Sequence, residues 1–234
     1  MIIEIANIKL NVVDLAPERL GPRVAYEDYI RYDIDTDVDI KVTSEEIDRT
    51  GREFGQKNRE ECIESAAVRK IYESLLDFDA FVLHAASISV AGKAFAFSAA
   101  HGTGKTTHMN LWKKKFGGDY CVVNGDRTVF RRDKDGRLLA CGSPWCGKER
   151  WQTNVMVPVR GICFLERSEV NWVRRLDAAE AVTKILKSTL IPGDAAKLAK
   201  LMDLLEWVTK HVPVYLAGVN MDDSAADVVY EAMR

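Results

Sequence analysis

Residues 97–112 read FSAAHGTGKTTHMNLW, and the middle of that stretch decides what the chain can build. Gly102 and Gly104 free the backbone to turn its N–H groups inward, Lys105 adds a cation and Thr106 a hydroxyl, just where a helical pattern begins. The phosphate-cradling pattern G-x-x-x-x-G-K-[ST] is met from its second glycine onward, with Ala99 standing at the first glycine position. KAFAFSA before the loop alternates like a strand, and TTHMNLWKKKF after it starts a helix. Strand, glycine turn and helix N-terminus in that order bring N–H groups and the positive end of a helix to one spot. Ala100, His101, Gly102, Thr103, Gly104, Lys105, Thr106 and Thr107 are therefore expected around a nucleotide phosphate, with Lys105 on the outer phosphates and the Thr106 hydroxyl on magnesium.

Such a site also needs an acid to hold the metal, at the end of a neighbouring strand. YCVVNGD supplies Asp126 directly after Asn124-Gly125, one helix beyond the loop. A second glycine-bearing loop, GSPWCGKE (residues 142–149), reads as a rigid turn at a strand end. Asn124, Trp145, Lys148 and Asn154 are the expected lining of an acceptor pocket, and Glu149 is a further candidate for the metal shell. Cys146 lies near Lys148 but has no paired base, so it is not read as a nucleophile.

Outward from this centre, periodicity sets the frame. MIIEIANIKLNVV alternates like a strand, and YIRYDIDTDVDIKV alternates strictly enough to predict one half-buried antiparallel strand. Its aspartates mimic a calcium loop, but Ile40 stands where the sharp turn needs glycine, so a solvated sheet face is expected. Thr43 with Glu46 and Asp177 with Glu180 form capping boxes. Apolar residues recur at helical spacing from Arg59 to Leu76, and residues 194–211 and 224–234 read as the last two helices. FVLHAASISVAGKAFAFSAA predicts two strands joined at Ala91-Gly92, and RLLACGSPW, GICFLER and VPVYLAGV are strand-like. The pattern predicts an α/β fold with a mixed sheet over residues 79–234, preceded by a small α+β unit over residues 1–78.

Bulk composition narrows the function. Lys and Arg number 33 against 35 Asp and Glu, a balance that gives no reason to expect nucleic acid, and Lys113–Lys115 read as the wet outer face of a helix. No stretch approaches the roughly 20 apolar residues of a membrane span, and the start lacks the pattern of a signal peptide, so a cytoplasmic protein without membrane partners is expected. Five cysteines without a C-x-x-C pair fit a reducing compartment.

LHAASISVAGKAFAFSAAHGTGKTTH, followed by VVNGDR and GSPWCGK, resembles the HPr kinase/phosphorylase-like group of P-loop proteins, whose fold is shared with phosphoenolpyruvate carboxykinases. The likeness covers about residues 81–233 and is narrowest with a poorly characterised bacterial branch. It implies that His84, which alone reads as a core histidine, sits beside the catalytic acid. It matches Lys105 and Thr106 to the phosphate lysine and the metal-binding hydroxyl, and Asp126 to the second acid of a paired Asp-Asp. Asn154 falls near an asparagine of that family's signature region. One departure matters: Gly125 stands where the first aspartate, that family's base, is expected, so either Asp126 or His84 has to take the proton. Carboxykinase activity is not expected, because the chain is about half the length of those enzymes and lacks their other ligands. HPr kinases assemble as hexamers, which raises a homo-oligomer here.

The expectation is thus an ATP- and magnesium-dependent phosphotransferase acting on a hydroxyl of a protein, peptide or small molecule. His84, Lys105 and Asp126 would be its catalytic residues. The alternatives are a nucleotide-binding regulator with little catalysis and a phosphate- or pyrophosphate-dependent phosphorylase.

Overall fold

The computed structural model describes residues 1–13, 24–55, 58–100 and 102–234. The fold is mixed α/β, with a four-stranded and a nine-stranded sheet. Ile2–Ile5 (β1) and Ile8–Val12 (β2) form an antiparallel hairpin. The alternation that reads as one strand is interrupted at Ala6 and Asn7, whose φ of 53° and 57° make the two-residue turn that matches strand twist.

The strand expected over residues 29–42 is instead two. Ile30–Arg31 (β3) and Val38–Ile40 (β4) lie at opposite edges in the order β3-β1-β2-β4, and β4 runs parallel to β2. Asp33, at φ 53°, breaks the run between them. The aspartates satisfy neighbouring polar groups: Lys9 N–H donates to Asp37 Oδ2 at 2.8 Å and Asn11 Nδ2 to Asp39 Oδ1 at 2.9 Å. Alternation reports which side of a chain is wet; it does not report the strand beside it.

Ser44–Phe54 (α1) starts at the Thr43–Glu46 capping box, and Arg59–Leu75 (α2) starts at Asn58, whose side chain accepts from Glu60 N–H. Ile71, Tyr72 and Leu75 of α2 pack with the four-stranded sheet against the face of the larger one.

The larger sheet comprises Ala80–His84 (β5), Ala86–Val90 (β6), Lys93–Ala99 (β7), Tyr120–Asn124 (β8), Arg127–Arg132 (β9), Leu138–Cys141 (β10), Met156–Arg167 (β11), Trp172–Arg175 (β12) and Val214–Val219 (β13). The stretch expected to hold two strands holds three. It turns at Ala91-Gly92 as expected and also breaks at Ala85, where the chain leaves β9 and joins β7 and β8. The long β11 serves both halves of the sheet, pairing antiparallel with β10 at its start and parallel with β7 and β13 further on.

Helices Lys105–Phe116 (α3), Ala178–Leu186 (α4), Ala195–His211 (α5) and Ser224–Met233 (α6) complete the chain. Trp112 of α3 is fully buried among Phe95, Phe97 and Tyr230, and its indole N–H donates to His108 Nε2 at 2.9 Å. Burial pushes His108 down to about 4, so it is a neutral acceptor there. The exposed lysines of α3 face α6, with Lys114 paired to Asp223 and Lys115 to Asp227.

β7 and β13 both run parallel to β11, and β8 runs parallel to β7 across the antiparallel β6. Four strands therefore end at one edge, the place where open α/β sheets gather ligands.

Candidate functional site

At that edge β7 gives way to the glycine loop. Gly102 and Gly104 have φ of 75° and 115°, conformations that residues with a Cβ rarely adopt. Gly104 is the N-cap of α3, no side chain caps the first turn, and that turn holds no acidic residue. Its amides and the positive end of the helix are left to an external acceptor. Thr106 and Thr107 are exposed on this first turn, while Ala100, Gly102, Thr103, Gly104 and Lys105 line the turn itself. His101 lies outside the described residues.

Three side chains from three elements meet beside the loop. Lys105 Nζ lies 2.8 Å from His84 Nε2, and the same nitrogen lies 3.1 Å from Asp126 Oδ1. One ring nitrogen cannot accept from an ammonium and donate to a carboxylate at once, so Lys105 and Asp126 compete for it. Burial would raise the Asp126 carboxyl, but the hydrogen bond to His84 and the nearby Lys105 and Arg127 outweigh this and hold it below the usual carboxylate range. Burial lowers Lys105, opposed by the Asp126 charge and reinforced by Arg127.

The backbone beneath this cluster is tied down by buried polar groups. Asn124 Oδ1 accepts the N–H groups of Asp126 and Arg127, each at 2.8 Å, and its Nδ2 donates to Ser143 O at 2.9 Å and Ser143 Oγ at 3.0 Å. Thr128 Oγ1 donates to Ala85 O at 2.9 Å, and Ser98 Oγ donates to the carbonyl of His84 at 2.9 Å. Asn124 is thus a fully buried strut under Asp126, whereas the sequence suggested a pocket lining.

The 142–149 loop touches Asp126 at Gly147. A Cβ on Gly147, at φ 76°, would stand 3.1 Å from Asp126 Cβ, so the loop backbone presses against the acid. The other expected pocket residues are not brought into the cluster. Trp145 is buried edge-on against Tyr26 and Tyr72. Lys148 is 78% exposed and 3.8 Å from Glu149, and Asn154 Nδ2 donates to Asp28 O at 2.9 Å. Among the described residues no group of three or more His, Cys, Asp or Glu converges, so Glu149 does not join His84 and Asp126 in one.

Gly125 has a local reason of its own. Its N–H donates to Trp151 O at 2.7 Å, and a Cβ there would meet the carbonyls of Cys146 and Trp151 at 3.1 and 3.2 Å. The space in which the expected first aspartate would begin is held by backbone.

Two arginines at the site escaped the sequence reading. Arg127 pairs directly opposite His84 in the β5–β9 register, which puts both side chains on one face, and its Nε lies 3.8 Å from Asp126 Oδ2 with the side chain 49% exposed. Arg167 ends β11 beside the glycine loop and donates an N–H to Gly102 O at 2.7 Å. The available signal was a charged residue at each strand terminus, RTVF and FLER, but only register shows which neighbour it meets.

No protein-family model and no curated protein matches the chain. Among solved structures it is similar to that of the Hpr(Ser) kinase/phosphatase from Coxiella burnetii, at 12% identity and a TM-score of 0.38, over 64% of this chain and 89% of that one. No helix among the described residues is long and apolar enough to cross a membrane.

Proposed function

We propose that the protein is a nucleotide- and magnesium-dependent phosphotransferase that moves a terminal phosphoryl group to a hydroxyl, with residues 79–234 as its catalytic unit. The observation that carries this is the approach of Lys105 and Asp126 to His84 Nε2, at 2.8 and 3.1 Å, beside the uncapped start of α3. The loop amides, Lys105 and the exposed hydroxyl of Thr106 suit a polyphosphate. Magnesium takes one or two carboxylates and completes its shell with phosphate oxygens and water, so a site with the single carboxylate of Asp126 fits that ion better than it would fit one needing an all-protein cage. Bound there, the ion would neutralise phosphate charge.

The chain's own residues divide the remaining work. Lys105, engaged on phosphate, no longer occupies His84 Nε2. The lone pair of that nitrogen is then able to take the acceptor's hydroxyl proton, and the imidazolium so formed keeps it and is stabilised by the Asp126 carboxylate, whose Oδ1 is 3.1 Å away. Asn124 and Ser98 hold both backbones in place while this happens. His84 is therefore the proton acceptor in this reading, and Asp126 the carboxylate that stabilises the resulting imidazolium and would hold the metal.

A second reading, a nucleotide-binding regulator, draws on the single carboxylate: Gly125 supplies none and the backbone around it leaves little room for one. Calorimetry with ATP and magnesium, followed by an assay of ATP turnover with and without candidate hydroxyl acceptors, separates the two. Binding with turnover that Lys105→Ala removes supports the transferase. Binding without turnover supports the regulator, and no nucleotide binding sinks both.

A further inference from the structure

We propose that the nucleoside end of the triphosphate lies across the loops that follow β11 and β13, with Val170 and Met221 as the apolar contacts of its base. The inference rests on the nucleotide reading above and adds a site to it.

A nucleoside triphosphate has two ends, and the structure marks one of them. Lys105 turns toward His84, which ends β5 just before β6 begins, and toward Asp126, which follows β8 on the far side of β6; both lie on the β6 side of the loop-bearing β7, away from β11. The reacting phosphate belongs there. A triphosphate seated on the start of α3 then sends its nucleoside the other way, over β11 and β13. β11 borders β7 and β13 borders β11, so their ends lie about 5 and 10 Å from the glycine loop by normal strand spacing.

The far side is joined to the phosphate loop by Arg167, whose guanidinium donates to Gly102 O at 2.7 Å. After Arg167 the chain arches over the end of β13, with Ser168 N–H donating to Val219 O at 3.1 Å, and descends as β12 on its other side. Val170 on this arch is 72% exposed, and Met221, just beyond β13, is 81% exposed. Both are large apolar side chains open to water, one on each of the two loops that follow these strands.

The two loops are also fixed to each other. Asn171 Nδ2 donates to Asn220 Oδ1 at 2.9 Å, and Asn220 N–H returns a bond to Asn171 Oδ1 at 2.9 Å. Asn220 Nδ2 donates to Glu169 O at 3.0 Å, and Asn171 Nδ2 also reaches Ser224 Oγ at 3.0 Å. The apolar pair is thus presented on a braced frame. A branched valine and a polarizable thioether suit the face of a flat heteroaromatic ring. Two side chains offer far less than the roughly 800 Å² per partner of a stable protein interface, which disfavours a second copy of the chain as occupant. Both asparagine amides are spent on the frame, leaving neither to read the polar edge of the base. ATP and GTP should therefore bind alike.

The test compares ATP, GTP and inorganic tripolyphosphate, each with magnesium, on the wild type and on Val170→Ser/Met221→Ser. The exposed positions should leave the melting temperature unchanged. Expected is a wild type that prefers ATP over tripolyphosphate, a double variant in which that preference falls by about tenfold while tripolyphosphate still binds, and ATP and GTP within a factor of about three of each other. An unchanged ATP-to-tripolyphosphate ratio overturns the site, as does wild-type discrimination between ATP and GTP above about tenfold. A variant that changes sedimentation but not the ratio overturns it in favour of self-association. If the wild type binds neither ATP nor tripolyphosphate, the phosphate site itself fails and this inference falls with it; failure of the ratio alone leaves the phosphate site standing.

Discussion

The four-stranded sheet hides Ile3, Ile5, Ile8 and Leu10, while the edge where β5, β8 and β9 meet hides Ser87, Asn124, Thr128 and Ser143, all eight at 0% exposure. The isoleucines and the leucine stabilise by leaving water, at about 25 cal/mol for each Å² of apolar surface. The polar four gain little net free energy even when every bond is made, and lose heavily when one is not. Hydrogen bonds to these groups hold the backbone of Ala85, Asp126 and Arg127, which flank or form the cluster. The difference teaches that one region is arranged for stability and the other for position.

The largest effect should come where position and chemistry coincide. Lys105→Ala is expected to cut nucleotide turnover on the order of 10³-fold, roughly 4 kcal/mol of barrier, with a melting temperature at or slightly above wild type because a partly buried cation is removed. A variant that unfolds more easily but turns over normally would break the comparison.

Leu10→Ala tests the other side. It should cost about 3 to 4 kcal/mol in urea unfolding, with turnover per folded molecule unchanged. A specific loss of turnover would show that the small sheet also positions the site.

Asn124→Ala belongs to both categories and should cost less stability, about 2 to 3 kcal/mol, since it strands the N–H groups of Asp126 and Arg127 and the carbonyl of Ser143. Unlike Leu10→Ala it should also lower turnover at saturating nucleotide. Parallel measurement of both variants separates the two kinds of burial.

Gly125→Asp restores the absent carboxylate on paper. Its Cβ would meet two backbone carbonyls at 3.1 and 3.2 Å, so a cost of about 1 to 2 kcal/mol and no gain in turnover are expected. Increased transfer would show that the 142–151 segment yields and that the missing acid, not the packing, limits the enzyme.

The smallest effect is on the pH dependence of stability. Asp126 titrates below its unfolded value near 3.9 because of its hydrogen bond and cationic neighbours. Its ionised form therefore stabilises the fold above that value, and the contribution disappears as pH falls through the lower folded pKa. The margin of wild type over Asp126→Asn in urea should hold at pH 7 and 5 and close below about pH 4. A margin that does not change with pH down to the acid unfolding of the protein would mean that packing, not charge, accounts for it.

Much of the secondary structure was legible because it depends on neighbours in the chain. Thr43–Glu46 and Asp177–Glu180 make their capping boxes within three residues, and the glycine loop, its strand and its helix form as read. Reading failed where the neighbour was distant. The break at Ala85 and the split of residues 29–42 do not interrupt the apolar pattern, so pattern alone passes over them, whereas the hairpin at Ala6-Asn7 was marked by the change of phase from Ile5 to Ile8. Asn124 and Trp145 looked like pocket residues because polar and aromatic groups near a strand end often are; their surroundings turned them inward.

What the residue order determined by itself is the loop: two glycines, a lysine and a hydroxyl at a helix start, a geometry closed over about eight residues by local torsion and N–H direction. Only the tertiary structure decided that His84 lies against Lys105, 21 positions away, and against Asp126, 42 away, and that Arg127 and Arg167 flank them. The reason is physical. Torsion preferences act over a turn or two, whereas contacts between strands depend on register and on the packing of the whole sheet, which no short stretch specifies.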